Sequence, residues 1–263
     1  MTEPTTEANR PNHIVWDWNG TLLHDIDAVI TATNASFAEL GFAPITLETY
    51  RDLYVVPVPK FYERLMGRLP TDEEWVVMDE AFHRHYWAAA AGAALAEGAR
   101  ELLREWQRDG LTQSLLSLAP HEKLVPLVQA HGIDRHFLRV DGRIGPSHTS
   151  KAGHLVRHLA ALDGTGVTAG RTVLIGDAVD DALAAAHVGA RAVLYTGGSH
   201  SRSSLESAGV PVVDTLAEAV RTARELADSD WTGRCTTARP CRWPECQSST
   251  PRFVQMQRMT TWG

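Results

Sequence analysis

The sequence predicts an α/β protein: a parallel sheet with helices on both faces, interrupted by an all-helical insertion. Three observations carry this expectation. Short apolar runs alternate with amphipathic stretches along most of the chain, which is the rhythm of strand–helix repeats. Two of those runs stop at acidic loops, at Asp17 and Asp177, as strands do where a parallel sheet meets its ligand. Between residues 25 and 95 helical periodicity replaces the alternation, broken by Gly41, Pro44, Pro57, Pro59 and Pro70.

The elements follow in order. His13 to Trp18 reads as a buried strand. The next seventy residues show no convincing strand and are far too long for an ordinary crossover, so they form a helical insertion that returns the chain to the sheet. Gly98 to Arg108 is an amphipathic helix closed by Asp109-Gly110, and LTQSLLSL is the following strand. Pro120 to His131 is a helix stopped by Gly132, and Lys151 to Leu162 is another, with DGTG turning after it. RTVLIGD is a strand, Ala178 to Val188 a helix with Gly189 as its stop, and ARAVLYT and VPVVD are further strands before the helix Leu216 to Asp228. The core is thus expected at 13–20 and 96–228, with the insertion at 21–95.

Composition narrows the function. The chain of 263 residues has a formal net charge of −7 and 44% apolar residues, enough for a full core. No basic cluster marks the body, which argues against nucleic acid. The most apolar stretch, Ala88 to Ala96, is about half the ~18 residues of a membrane span. Residues 1–12 are polar, unlike a secretory leader, and are expected to be disordered. The three cysteines, Cys235, Cys241 and Cys246, all fall in the tail 229–263, so no disulfide framework is expected and a cytoplasmic setting fits. That tail mixes Arg, Pro, Cys and Trp without periodicity, and its cysteine spacing is no zinc pattern, so it too is expected to be disordered. Only Lys60, Lys123 and Lys151 are lysines, against 22 arginines, which gives a lysine at a demanding position added weight.

The chemistry concentrates at strand ends. IVWDWNGTLL places Asp17 before an Asn-Gly-Thr turn whose backbone N–H groups suit an anion. VLIGDAVDD repeats the arrangement with Asp177 and Asp181. Carboxylates from two strand ends at one crevice repel each other unless a cation lies between them, and oxygen-only ligands select Mg²⁺. Ser117, at the end of LLS, offers a hydroxyl. Lys151 offers a fixed positive charge. Both are what a phosphate oxygen binds.

In this order, DWNGTL, Ser117, Lys151 and GDAVDD resemble the four motifs of the haloacid dehalogenase superfamily, from about residue 13 to 227. The insertion is similar to the helical cap of its phosphoglycolate-phosphatase and β-phosphoglucomutase-like branch, over a Rossmann-like core. The resemblance implies that Asp17 is a nucleophile forming an aspartyl phosphate that water hydrolyses. It implies Mg²⁺ held by Asp17, the backbone carbonyl of Asn19, Asp177 and Asp181. Ser117 and Lys151 would hold the phosphoryl oxygens, beside the Gly20–Thr21 turn. Lys60 and Arg64, after the paired prolines VPVP, read either as substrate contacts or as residues that solvate the cap. A small phosphorylated metabolite is the expected substrate.

Asn19 departs from the pattern. Hydrolytic members usually carry Asp there, as the acid–base for the leaving group and for water, whereas an amide exchanges no proton usefully near neutrality. Its backbone can still meet the metal. Two alternatives follow: a phosphotransferase or mutase using a longer-lived aspartyl phosphate, and a non-catalytic phosphate-binding regulator. His24 stands where relatives often have Asp; it reads either as a surface residue or as a substitute acid. His154 and His158, four apart on one helix, read as a solvated face, since Leu155 replaces the glutamate of a metal-binding HExxH. His83 and His85 are given no role.

Overall fold

A computed structural model describes residues 12–55, 58–145 and 150–226. The expected disorder of residues 1–12 and of the tail therefore falls, apart from Asn12, outside the described residues. In chain order the elements are β1 (His13–Trp16), β2 (Leu23–His24), α1 (Ile26–Glu39), α2 (Leu47–Leu53), α3 (Val58–Met66), α4 (Asp72–Ala90), β3 (Ala94–Leu95), α5 (Ala99–Arg108), β4 (Thr112–Pro120), α6 (His121–Ala130), β5 (Val140–Arg143), α7 (Lys151–Ala160), β6 (Thr172–Gly176), α8 (Val179–Val188), β7 (Arg191–Tyr195), α9 (Arg202–Glu206), β8 (Val212–Val213) and α10 (Leu216–Glu225).

Six strands form one sheet in the order β5-β4-β1-β6-β7-β8, and every pairing is parallel. Side chains alternate across it. Ile14 and Trp16 pack on one face with Leu103 and Trp106 of α5 and Val220 of α10. Val15 packs on the other with Leu155 of α7 and Ala184 of α8. Two buried faces explain why these strands read as continuous apolar runs rather than as alternation.

Register sets the site. Trp16 lies opposite Leu115 on one side and Ile175 on the other. One residue on from Trp16 and two on from Leu115 and Ile175, Asp17, Ser117 and Asp177 therefore come together toward the carboxyl edge, Ser117 still within β4. Asn12 donates to Arg171 O and accepts from Thr112 N, so the chain is ordered one residue before the expected boundary.

The insertion is helical, as expected, but its base is not. Leu23 and His24 pair antiparallel with Leu95 and Ala94, a ladder too short for sequence periodicity to show. Above it α1 packs along α4, which opens with a capping box between Thr71 and Glu74. Ile26, Phe37, Tyr50, Phe61, Tyr62 and Met78 give this part its own core. No described helix is long and apolar enough to cross a membrane.

Candidate active site

Asp17 sits one residue past β1, 6% exposed, with its N–H bound to Ile175 O. Lys151 opens α7, where its N–H donates to Asp180 Oδ2 at the start of α8. Its side chain reaches into the crevice. Its Nζ lies 2.5 Å from Asp17 Oδ1 and 2.5 Å from Asp181 Oδ1. Thr21 Oγ1 donates to the other oxygen of Asp17 at 3.2 Å. Asp181 is fixed by the N–H of Ala178, and Asp177 Oδ2 accepts from both N and Oγ of Ser199 at 2.7 and 2.8 Å. Ser199 was not singled out by the sequence reading, because no spacing rule links it to Asp177.

Carboxylate oxygens of Asp17, Asp177 and Asp181 all lie within 4.8 Å of one another, and all three residues are buried. Burial, only partly offset by Lys151, pushes the Asp17 carboxyl up to about 6. Burial and the charges of Asp17 and Asp181 push Asp177 up to about 8. For Lys151 burial disfavours the charge, but Asp17 and Asp181 outweigh it and raise its pKa. Three buried carboxylates facing one ammonium form a site short of positive charge. Hard oxygen donors at this spacing fit a divalent cation such as Mg²⁺.

The turn after Asp17 approaches closely. Gly20 has φ +66°, and a Cβ there would fall 2.6 Å from Asp177 Oδ2 and 2.9 Å from Gly198 Cα. Its N–H donates to Asp25 Oδ1 at 2.7 Å. Asp25 Oδ2 also accepts from Asn19 Nδ2 at 2.8 Å and from the hydroxyl of Tyr86 at 2.6 Å. Asn19 Nδ2 lies 2.5 Å from Tyr86 Oη as well, and Asn19 Oδ1 accepts from Ser117 Oγ at 3.2 Å. The sequence reading missed Asp25 and Tyr86 as site residues. Asp25, next to His24 and 1% exposed, was the findable one.

Asp17, Asn19, Gly20, Thr21, Ser117, Lys151, Asp177 and Asp181 are thus brought together. Lys60 and Arg64 are not seen joining them: both are exposed on α3, and Arg64 turns to Leu53 O. The insertion meets the core loops through other residues. Arg51 donates to the carbonyls of Gly198 and Gly197, and Tyr54 lies edge-on to His200 at 4.9 Å. His24 is exposed on β2, the surface reading of that residue. The solvated face assigned to His154 and His158 is wrong. They are 4% and 0% exposed, because α7 lays this face on the sheet, where His158 meets Ser114 and Asp141.

Fold and site together define an α/β enzyme with a helical insertion over a crevice of strand-end carboxylates. A family model for haloacid dehalogenase-like hydrolases matches residues 11–189, and the chain belongs to that family. Among curated relatives, a phosphoglycolate phosphatase of Pseudomonas fluorescens (strain Pf0-1) is 25% identical over 212 residues, covering 78% of this chain and 77% of its own. One from Cereibacter sphaeroides is 27% identical over 190 residues, covering 70% and 85%. Among solved structures, a hydrolase from Pseudomonas syringae superposes with a TM-score of 0.64 at 21% identity, over 82% of this chain and 99% of its own.

Proposed function

We propose that the protein is a Mg²⁺-dependent phosphatase that hydrolyses a small phosphorylated metabolite through an aspartyl phosphate on Asp17. The observation that supports this best is the Lys151–Asp17 pair among strand-end carboxylates: a nucleophile, a phosphoryl-binding cation and metal ligands converge from three parts of the chain.

Asp17 attacks phosphorus in line through a carboxylate oxygen, and the bond to the leaving group breaks. Thr21 orients the Asp17 carboxylate from its other oxygen. Lys151 and Ser117 hold the oxygens of the transferring group, with the Gly20–Thr21 turn beside them. Bound by Asp17, the Asn19 backbone carbonyl, Asp177 and Asp181, Mg²⁺ would neutralise the charge shared between carboxylates and phosphoryl oxygens. The helical insertion limits the crevice to small substrates and excludes water from it. Cap contacts to the substrate are proposed for Arg51 and Tyr54, which reach the core loops, ahead of Lys60 and Arg64.

One observation favours a second reading. Asn19 cannot take a proton from water, so the aspartyl phosphate is expected to survive longer and to pass to an alcohol acceptor. The test is release of phosphate from p-nitrophenyl phosphate and a panel of phosphorylated metabolites, with and without Mg²⁺ and with added glycerol. Mg²⁺-dependent phosphate release supports hydrolysis, and transfer to glycerol in its place supports the second reading. Asp177→Ala should shift the Mg²⁺ titration to higher concentration.

A further inference from the structure

The proton supply of the crevice bears on the substrate, an inference that rests on the phosphatase reading above. When phosphorus passes to a carboxylate, the leaving oxygen keeps the electron pair of the broken P–O bond. An alkoxide is strongly basic and needs a proton as it departs, which a positioned acid normally supplies. With Asp177 and Asp181 taken up as metal ligands, and the Thr21 and Ser117 hydroxyls donated to Asp17 and Asn19, the remaining polar side chains beside Asp17 are already committed.

Lys151 is an ammonium clamped between Asp17 and Asp181. Ser199 donates its hydroxyl to Asp177, and Tyr86 donates its own to Asp25. Asp25 accepts from Gly20 N, Asn19 Nδ2 and Tyr86 Oη, so both of its oxygens are engaged. Asn19 stands between this cluster and Ser117. Its amide nitrogen is turned to Asp25 Oδ2 and Tyr86 Oη, and its oxygen to Ser117 Oγ. The amide therefore presents an acceptor toward the phosphoryl-binding serine, and its hydrogens point away.

We propose that the enzyme acts on phosphoryl compounds whose leaving group departs as a weakly basic oxyanion (an acyl, enol or aryl phosphate), and poorly on phosphate esters of simple alcohols. In the first step the Asp17 Oδ–P bond forms, the P–O bond to the leaving group breaks, and the oxyanion leaves with its electron pair, acquiring any proton from solvent. In the second step a water oxygen bonds to phosphorus and the Asp17 carboxylate recovers its electron pair. The Asp17 Oδ–P bond breaks, and both protons of the water end on the released phosphate, which leaves as dihydrogen phosphate and equilibrates with solvent. Phosphoglycolate must release an alkoxide and is expected to be a poor substrate here.

The test is kcat/KM, which reports the first step, for acetyl phosphate, a series of aryl phosphates from p-nitrophenyl to p-methoxyphenyl, and phosphoglycolate. The expected result is a steep fall as the leaving group becomes more basic, about 100-fold or more from p-nitrophenyl phosphate to phosphoglycolate, the scale of missing acid catalysis. The double variant Asn19→Asp/Asp25→Asn exchanges amide and carboxylate while keeping the hydrogen bond between the two positions. It should raise kcat/KM for phosphoglycolate by roughly 10²–10⁴-fold and that for p-nitrophenyl phosphate far less. A wild-type enzyme that cleaves phosphoglycolate as well as p-nitrophenyl phosphate overturns the inference, as does a folded double variant that changes both substrates equally. No Mg²⁺-dependent phosphate release from any of them, acetyl phosphate included, contradicts the phosphatase reading itself.

Discussion

The ammonium of Lys151 lies 2.5 Å from Oδ1 of Asp17, and both side chains are sealed from solvent, at 4% and 9% exposure. This pair is part of the fold as much as of the chemistry. Breaking a buried ion pair by removing one partner costs about 3–5 kcal/mol, because the other charge is left uncompensated. Lys151→Ala should therefore lower kcat by about 10²–10³-fold and also lower the melting temperature in EDTA. Mg²⁺ should recover part of that lost stability by taking up the stranded carboxylates. Melting curves with and without Mg²⁺ check this, and an identical loss in both would remove the metal from the Asp17 cluster.

Gly20 and Gly41 separate backbone strain from site geometry. Both have positive φ, +66° and +75°, but a Cβ at Gly41 meets nothing within 4 Å while one at Gly20 meets Asp177 and Gly198. Each substitution by Ala should cost about 1–2 kcal/mol for the left-handed conformation. Only Gly20→Ala should also reduce kcat/KM and weaken the Mg²⁺ titration, since Asp177 or its loop must move. Equal kinetic effects from the two variants would contradict this.

His13 contributes stability that is lost on acidification below neutrality, opposite in sign to Asp17 and Asp177, whose raised pKa values let the fold take up protons there. The His13 ring contacts Thr112 Oγ1 and Ser114 Oγ at 2.8 Å, and Ser114 Oγ is 2.7 Å from His158. Burial, with His158 nearby, pushes the His13 pKa down from 6.5 to about 3. The folded state thus refuses a proton that the unfolded chain accepts. Stability from this residue is complete above the unfolded pKa and is lost as pH falls from about 6.5 toward 3, by up to about 1.4 kcal/mol per pH unit. Asp141, held down to about 2 by His158 and Arg139 despite burial, adds in the same direction below pH 4. Urea unfolding of the wild type and of His13→Asn between pH 4 and 7 isolates this contribution: the wild type should lose stability relative to the variant as pH falls, and parallel curves would contradict it.

Much of this was legible in the sequence, for reasons that particular residues show. Strands such as RTVLIGD announce themselves because both faces of β6 are covered, and Gly189 marks the end of α8 with φ +76°. β5 was not foreseen, since Val-Asp-Gly-Arg lacks an apolar run and forms a strand only because β4 offers it an edge. His154 and His158 were misread because helical spacing identifies a face without saying what that face meets. Asp17, Ser117, Lys151, Asp177 and Asp181 stand out as a set because they follow one another in the order and spacing of the four motifs, at or near strand ends and helix starts. Tyr86 does not: its role is a contact with Asp25, 61 residues away, which no local pattern encodes, whereas Asp25 lies within six residues of the Asn19 and Gly20 it binds.

The central claim is that phosphate is carried by Asp17, and trapping the intermediate tests it most directly. The enzyme should be mixed with Mg²⁺ and an excess of acetyl phosphate, quenched in acid within milliseconds, reduced with borohydride and mapped by peptide mass spectrometry. Asp17 should be converted to homoserine, Asp177 and Asp181 should be untouched, and Asp17→Asn should give no modified peptide and no phosphate release. Substantial Mg²⁺-dependent turnover by Asp17→Asn, or a label on another residue, would contradict it.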